Sequence, residues 1–254
     1  MKNKFLYIPL FIFAILNLYG YQKTYTPKEK TGTVKITFVN TVKGKPIQLN
    51  TSTYTNPFAE QYSISKFKYY ISHVGLVFLG GTDIENESCY LIDESKPESL
   101  SLSFAAVEKT YSAVSFLLGV DSILNVSGAQ TGALDPLNDM FWTWNSGYIM
   151  AKMEGHSPQS KVVNNKVEYH IGGFSGANNV LKNITLNFPA GKKLYISAGK
   201  TSEIFIEADF ETWWQHADEL KIAEHPVCTT PGTLAKLIAN NYSNMFTIKN
   251  VINN

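Results

Sequence analysis

The stretch Phe67-Lys68-Tyr69-Tyr70-Ile71-Ser72-His73-Val74-Gly75-Leu76-Val77-Phe78 decides the fold class. Aromatic and β-branched residues fill it and Gly80-Gly81 closes it, so it reads as a long strand. Shorter segments of the same character lie on both sides. Thr33 to Val39 alternates, Gly44-Lys45-Pro46 breaks it, and Ile47 to Asn50 reads as its short partner. Tyr90 to Ile92, Leu100 to Phe104, Tyr111 to Leu118, Ile149 to Glu154, Val167 to Ile171, Leu181 to Phe188 and Glu203 to Asp209 follow. About ten short strands separated by turn signals predict a mainly β fold, an antiparallel β-sandwich or barrel-like sheet pair. Helical spacing is confined to Phe210 to Leu220 and Thr233 to Asn241, so a few short helices are expected near the C-terminus.

The chain opens with Met1-Lys2-Asn3-Lys4 and an apolar run from Phe5 to Gly20 interrupted by Pro9 and Asn17. A positive head before such a run is the pattern of an export signal. The run is shorter than the roughly 20 uninterrupted apolar residues a bilayer core requires, and polar Gln22-Lys23-Thr24 follows at once. The expected organisation is a signal peptide over residues 1–20, a lead-in over 21–32 and one β domain over 33–254. That organisation places the mature protein in the periplasm or outside the cell, with no stable membrane insertion once the signal is removed.

With 22 basic and 21 acidic residues the chain carries no electrostatic footprint for nucleic acid. No Gly-x-Ser-x-Gly elbow, phosphate-binding loop, His-Glu-x-x-His or calcium loop is present, so the sequence does not read as an enzyme. Cys89 and Cys228 stand in no metal-type spacing. In an oxidising compartment they form either one long-range disulfide or two buried thiols, and the sequence leaves both open.

Two of the five histidines, His73 and His170, lie inside aromatic strand segments. A buried imidazole needs partners for both ring nitrogens, which a structural hydrogen-bond network supplies. A metal ion is the alternative partner, because imidazole suits copper, zinc, nickel and iron. The Phe141-Trp142-Thr143-Trp144 run carries a parallel choice. Alternation sends Trp142 and Trp144 to one face of a strand, either as core or as an oxidisable site beside a metal.

A longer pattern bears on these choices. Leu118-Gly119-Val120-Asp121, Gly132-Ala133-Leu134-Asp135-Pro136-Leu137-Asn138-Asp139-Met140-Phe141-Trp142-Thr143-Trp144-Asn145-Ser146-Gly147-Tyr148, Lys152-Met153-Glu154-Gly155 and Tyr169-His170-Ile171-Gly172 together resemble the MbnP-like family of secreted or periplasmic proteins associated with copper and methanobactin systems. Asp139 departs from the pattern, standing where a glycine is usual, and Cys89 and Cys228 bracket the middle motif instead of lying within it. The resemblance implies a β-rich, non-enzymatic copper-binding or copper-handling domain. It implies a copper site made by two histidines, matched to His73 and His170, and an oxidised tryptophan, matched to Trp144 or Trp142. It also implies a dihaem, peroxidase-like redox partner that performs the oxidation. The competing reading is a structural or ligand-binding β-sandwich whose aromatic middle is a packing core or recognition face.

Overall fold

The computed structural model describes residues 29–85, 89–128, 130–143 and 147–254. The expected signal peptide, most of the lead-in and Trp144 lie outside the described residues.

The strands run in chain order as β1 (Thr31–Val42), β2 (Lys45–Pro46), β3 (Tyr54–Thr55), β4 (Gln61–Phe78), β5 (Gly81–Ile84) and β6 (Cys89–Asp93). Next come β7 (Ser101–Val107), β8 (Thr110–Tyr111), β9 (Ala113–Leu118), β10 (Phe141–Thr143), β11 (Gly147–His156) and β12 (Lys166–Gly172). The last are β13 (Lys182–Asn187), β14 (Leu194–Tyr195), β15 (Thr201–Asp209), β16 (Val227–Cys228) and β17 (Phe246–Ile252). Two α-helices join them, α1 (Ser122–Val126) and α2 (Thr233–Tyr242).

One sheet has the order β17-β15-β1-β2, with β7 also paired to β1. The larger sheet runs β13-β9-β4-β11-β12-β16, and β3, β5 and β6 add to β4. The mainly β expectation holds, with two large sheets and a separate two-stranded pairing of β8 with β14, but the large sheets are mixed and not purely antiparallel: β1 lies parallel to β15 and β12 parallel to β16. Residue alternation reports which face is buried and carries no information on strand direction.

The two sheets meet through aromatic rings. Phe38 of β1 packs edge-on against Tyr69 of β4 and Phe116 of β9, each at 6.2 Å between centroids, and Phe246 of β17 closes the group at 5.1 Å from Phe116. Edge-to-face geometry at these separations is the favoured arrangement of aromatic quadrupoles. Further along β4, Phe67 meets Phe210 and Trp213, and Tyr62 meets Trp214. Trp213 in turn packs on Tyr242 of α2.

Strand β4 positions the site. Its pairing with β11 shifts register between Lys66 and Ile64, so one extra residue is accommodated there. The buried face therefore reads Tyr62, Ile64, Phe67, Tyr69 and Ile71, while Lys66 and Lys68 point to the opposite face. A second shift, against β9, falls between Ser72 and Gly75. His73 sits inside that bulge with φ +50°, a left-handed conformation uncommon for a residue with a Cβ.

Two local expectations change. Ile47 to Asn50 is not a strand: β2 ends at Pro46, and Asn50 turns the chain with φ +63°. The helical spacing over Phe210 to Leu220 yields only a 3-10 turn, Phe210–Trp213. Beyond it the buried Asn241 side chain captures the main chain, donating to the carbonyls of Trp213 and Asp218 and accepting from the amides of Ala217 and Asp218. Those bonds replace the helical ladder. Cys89 and Cys228 are free thiols, so of the two readings left open the disulfide is absent. Burial pushes the thiol pKa of Cys89 up to about 12 and that of Cys228 up to about 11.

Candidate metal centre

The outward face of the large sheet gathers the charged residues of its three central strands. Register pairs Lys152 of β11 with Lys68 of β4 and with His170 of β12, and one step along the same face pairs Glu154 with Lys66 and Glu168. His170 Nε2 lies 2.9 Å from Glu154 Oε1 and 3.5 Å from Glu168 Oε1. The potential ligand atoms of Glu154, Glu168 and His170 all fall within 4.8 Å of one another, the one such group of three among the described residues. Sequence reading found His170 but passed over both glutamates. Only the pairing of β11 with β12 brings Glu154 to its neighbour, although the alternation of Glu168 with His170 was visible.

Lysines interleave this cluster. Lys152, only 1% exposed, reaches Asp139 Oδ2 at 2.9 Å, donates to the Asp139 main-chain carbonyl and stands 3.9 Å from Glu154 Oε1. Lys66 bridges Asp139 at 3.0 Å and Glu154 Oε2 at 3.2 Å, and Lys166 holds Glu168 at 2.7 Å. The hydrogen bond with His170, helped by Lys66 against the opposing effect of burial, brings the Glu154 carboxyl down to about 2. Burial alone would raise the Asp139 carboxyl, but hydrogen bonds from Lys152 and Lys66 outweigh it and bring it to about 2 as well.

The lysines also fasten the 132–140 segment to the sheet. Lys68 donates to the Asn138 carbonyl, Tyr70 to that of Ala133 and Tyr148 to that of Leu134. Asp139 has φ +61° and caps a 3-10 turn, Pro136–Asn138. A left-handed residue is what a glycine supplies without strain, and aspartate is among the residues that tolerate it. Immediately beyond, Trp142 of β10 lies over β12: a Cβ built on Gly172 would be 2.5 Å from Trp142 Cζ3. Gly172 is two residues from His170 on the same strand, so Trp142 covers the strand end adjoining the cluster.

His73 is held elsewhere. Its Nε2 lies 2.8 Å from Asp121 Oδ2, while Asp121 Oδ1 accepts from the Leu124 amide as the N-cap of α1. Around this pair opens a cleft of about 550 Å³ lined by Cys89, Glu85, Ile123 and Leu134 among others. By register His73 is five residues along β4 and two strands across from His170, a separation on the order of 15–20 Å at ordinary strand spacings. The structure brings His170 together with two glutamates and places His73 beside Asp121, on another part of β4. Bulging at Ser72 to Gly75 turns His73 toward Asp121 and is invisible to residue spacing.

As a donor set, one imidazole and two carboxylates suit a borderline divalent ion such as Cu(II). The separations of 2.9 and 3.5 Å from His170 to the carboxylate oxygens leave room for a single ion after small adjustments. The residues therefore fit copper in number and type, with the lysines as their present counter-charges.

This is a mainly β protein built on two large sheets, with few helices and a histidine–carboxylate cluster on one face of the larger sheet. Residues 31–230 match the family model MbnP, and the chain belongs to the MbnP family. Family members are binding proteins and not catalytic enzymes, and membership supports a copper-associated role. No curated protein matches the chain significantly. Among solved structures it is similar to MbnP from Methylosinus trichosporium, with 15% identity and a TM-score of 0.48, covering 73% of this chain and 78% of that one.

Proposed function

We propose that this is an exported copper-binding protein that holds its ion between His170, Glu154 and Glu168, beside Trp142. The observation that carries the reading is the convergence of three ligand atoms within 4.8 Å on the histidine matched to the family pattern. Family membership supports copper over other ions. The bound ion would supply a redox-active centre next to an oxidisable indole. In this chain His170 gives the imidazole, Glu154 and Glu168 give the carboxylates, and Trp142 shields the adjoining strand from water. His73 is not part of this ligand set. Oxidation of Trp142 or Trp144 by a dihaem, peroxidase-like partner, and residence in the periplasm or outside the cell, belong to the same proposal.

One observation favours a second reading, a purely structural ion network. Lys66, Lys152 and Lys166 match Asp139, Glu154 and Glu168 charge for charge. Copper titration of the purified protein separates the two, followed by electron paramagnetic resonance for Cu(II) and by chelator competition for Cu(I). The copper reading expects one equivalent bound and at least a hundredfold weaker binding in His170→Ala and Glu154→Gln. Unchanged stoichiometry and affinity in both variants would sink it and leave the structural network.

A further inference from the structure

We propose that the cleft between the β4 bulge and α1 binds a small organic amine, an apolar body carrying one protonated nitrogen with N–H donors. The inference is independent of the copper reading, because the cleft shares no residue with the Glu154–Glu168–His170 cluster.

Shape and rigidity come first. At about 550 Å³ the cleft is of the size that takes small molecules. Its walls are fixed by the protein's own bonds. One wall is held by Tyr70 and Tyr148, whose hydroxyls donate to the carbonyls of Ala133 and Leu134. Helix α1 is held by Asn125, whose buried amide donates to the Val120 and Asp121 carbonyls and accepts from the Tyr148 amide. His73, in its left-handed bulge, then ties β4 to α1 through Asp121. A preformed site loses little affinity to ordering when a ligand enters.

The chemistry of the lining selects the ligand. Ile84, Ile123, Leu124 and Leu134 supply apolar surface, and Ile84 and Ile123, from separate elements, are more than half exposed. Covering that surface favours an apolar body. The charges are of one sign. Among the described residues the lining holds Glu85 and Asp121 but no lysine or arginine. Cys89 stays a neutral thiol, because burial pushes its pKa up to about 12. His73 offsets at most one of the two carboxylates, so the lining is net negative whichever way its proton sits, and it attracts a cation and repels an anion. None of the described lining residues is aromatic, so the rings that recognise a quaternary ammonium are missing. Carboxylates and the Thr131 hydroxyl are acceptors that suit N–H donors.

4-Phenylbutylamine, 4-phenylbutanol and 4-phenylbutyrate share one apolar body and differ in the head group. Each is titrated into the full chain by isothermal calorimetry, with a chelator present to keep metal out of the comparison. The amine is expected to bind one equivalent with a Kd at or below about 1 mM. It should bind at least about tenfold more tightly than the alcohol, and the carboxylate should bind weakest. Glu85→Gln is expected to weaken the amine about tenfold while leaving the alcohol within about twofold. Ile123→Ser, at an exposed position that does not endanger folding, should weaken amine and alcohol alike by about threefold or more. Equal affinities for the three probes, no saturable binding of the amine, or amine binding unchanged in both variants overturns the inference. Copper titration of His170→Ala reads the copper proposal separately, so either can fail while the other stands.

Discussion

The ring of Trp142 rests on the main chain of Gly172 so closely that a side chain at position 172 would meet Cζ3 at 2.5 Å and the Tyr148 carbonyl at 3.0 Å. The glycine is thus a seat for the indole, and the seat is built into the strand that carries His170. Gly172→Ala is expected to lift Trp142 from β12 at a cost of about 1–3 kcal/mol, the usual range for overpacking. Urea denaturation and the tryptophan emission spectrum report it together. An unchanged midpoint and spectrum would mean the indole is not seated there.

Asp139 makes a different bargain with its backbone. Its φ of +61° is glycine territory, while its carboxylate engages Lys66 and Lys152. Asp139→Gly keeps the conformation but takes the carboxylate partner from the buried Lys152 ammonium, so a loss of about 1–3 kcal/mol is expected. Asp139→Ala loses the same pairs and adds left-handed strain, for about 1–2 kcal/mol more. The ordering of chemical-denaturation midpoints, wild type above glycine variant above alanine variant, is the measurable outcome. An alanine variant as stable as the glycine one would contradict it.

These two positions show what spacing in the sequence conveys. The aromatic run of β4, the Trp142 segment and His170 announce themselves by composition, and the two-sheet β class follows from them. The parallel pairing of β1 with β15 joins segments far apart in the chain, and alternation is blind to it. The bulge at His73 is likewise silent, because one extra residue leaves composition untouched while turning a side chain toward Asp121. Glu154 was legible only as a strand residue. Its role depends on facing His170 across a register that no local pattern encodes.

Acid should loosen the segment that carries Trp142. Burial alone would raise the Asp139 carboxyl, yet bonds from Lys152 and Lys66 hold it at about 2; Asp93, against the same tendency of burial, is lowered by Ser95 and Lys68. Both folded-state values lie below the unfolded value near 4. Their contribution to stability is therefore fully present above about pH 4 and declines as pH falls toward the folded values. Denaturation midpoints at pH 6, 4 and 2.5 should drop steeply in the last interval. Asp139→Asn should lie below wild type at pH 6, with the gap clearly narrowed at pH 2.5. Parallel curves for the two proteins would refute the assignment.

Asn241 is fully buried in α2 and uses both ends of its amide, donating to the Trp213 and Asp218 carbonyls at 3.1 and 2.8 Å and accepting from the Ala217 and Asp218 amides at 2.9 Å each. Through these bonds one side chain fixes the loop that follows Trp213, whose ring packs on Phe67 and Tyr242 in the core. Removing a partner from buried main-chain groups costs about 1–3 kcal/mol for each group left unsatisfied. Asn241→Ala orphans several at once, and a loss of about 3–5 kcal/mol is expected. Asn241→Asp preserves shape and acceptors but has no donor for the two carbonyls and buries a carboxylate, so about 2–4 kcal/mol should still be lost. Near-UV circular dichroism follows the Trp213 environment, and urea midpoints give the energies. If Asn241→Asp unfolds within about 0.5 kcal/mol of wild type, the side chain is not the clamp that ends the 210–213 turn, and helical continuation through Leu220 would have to be reconsidered.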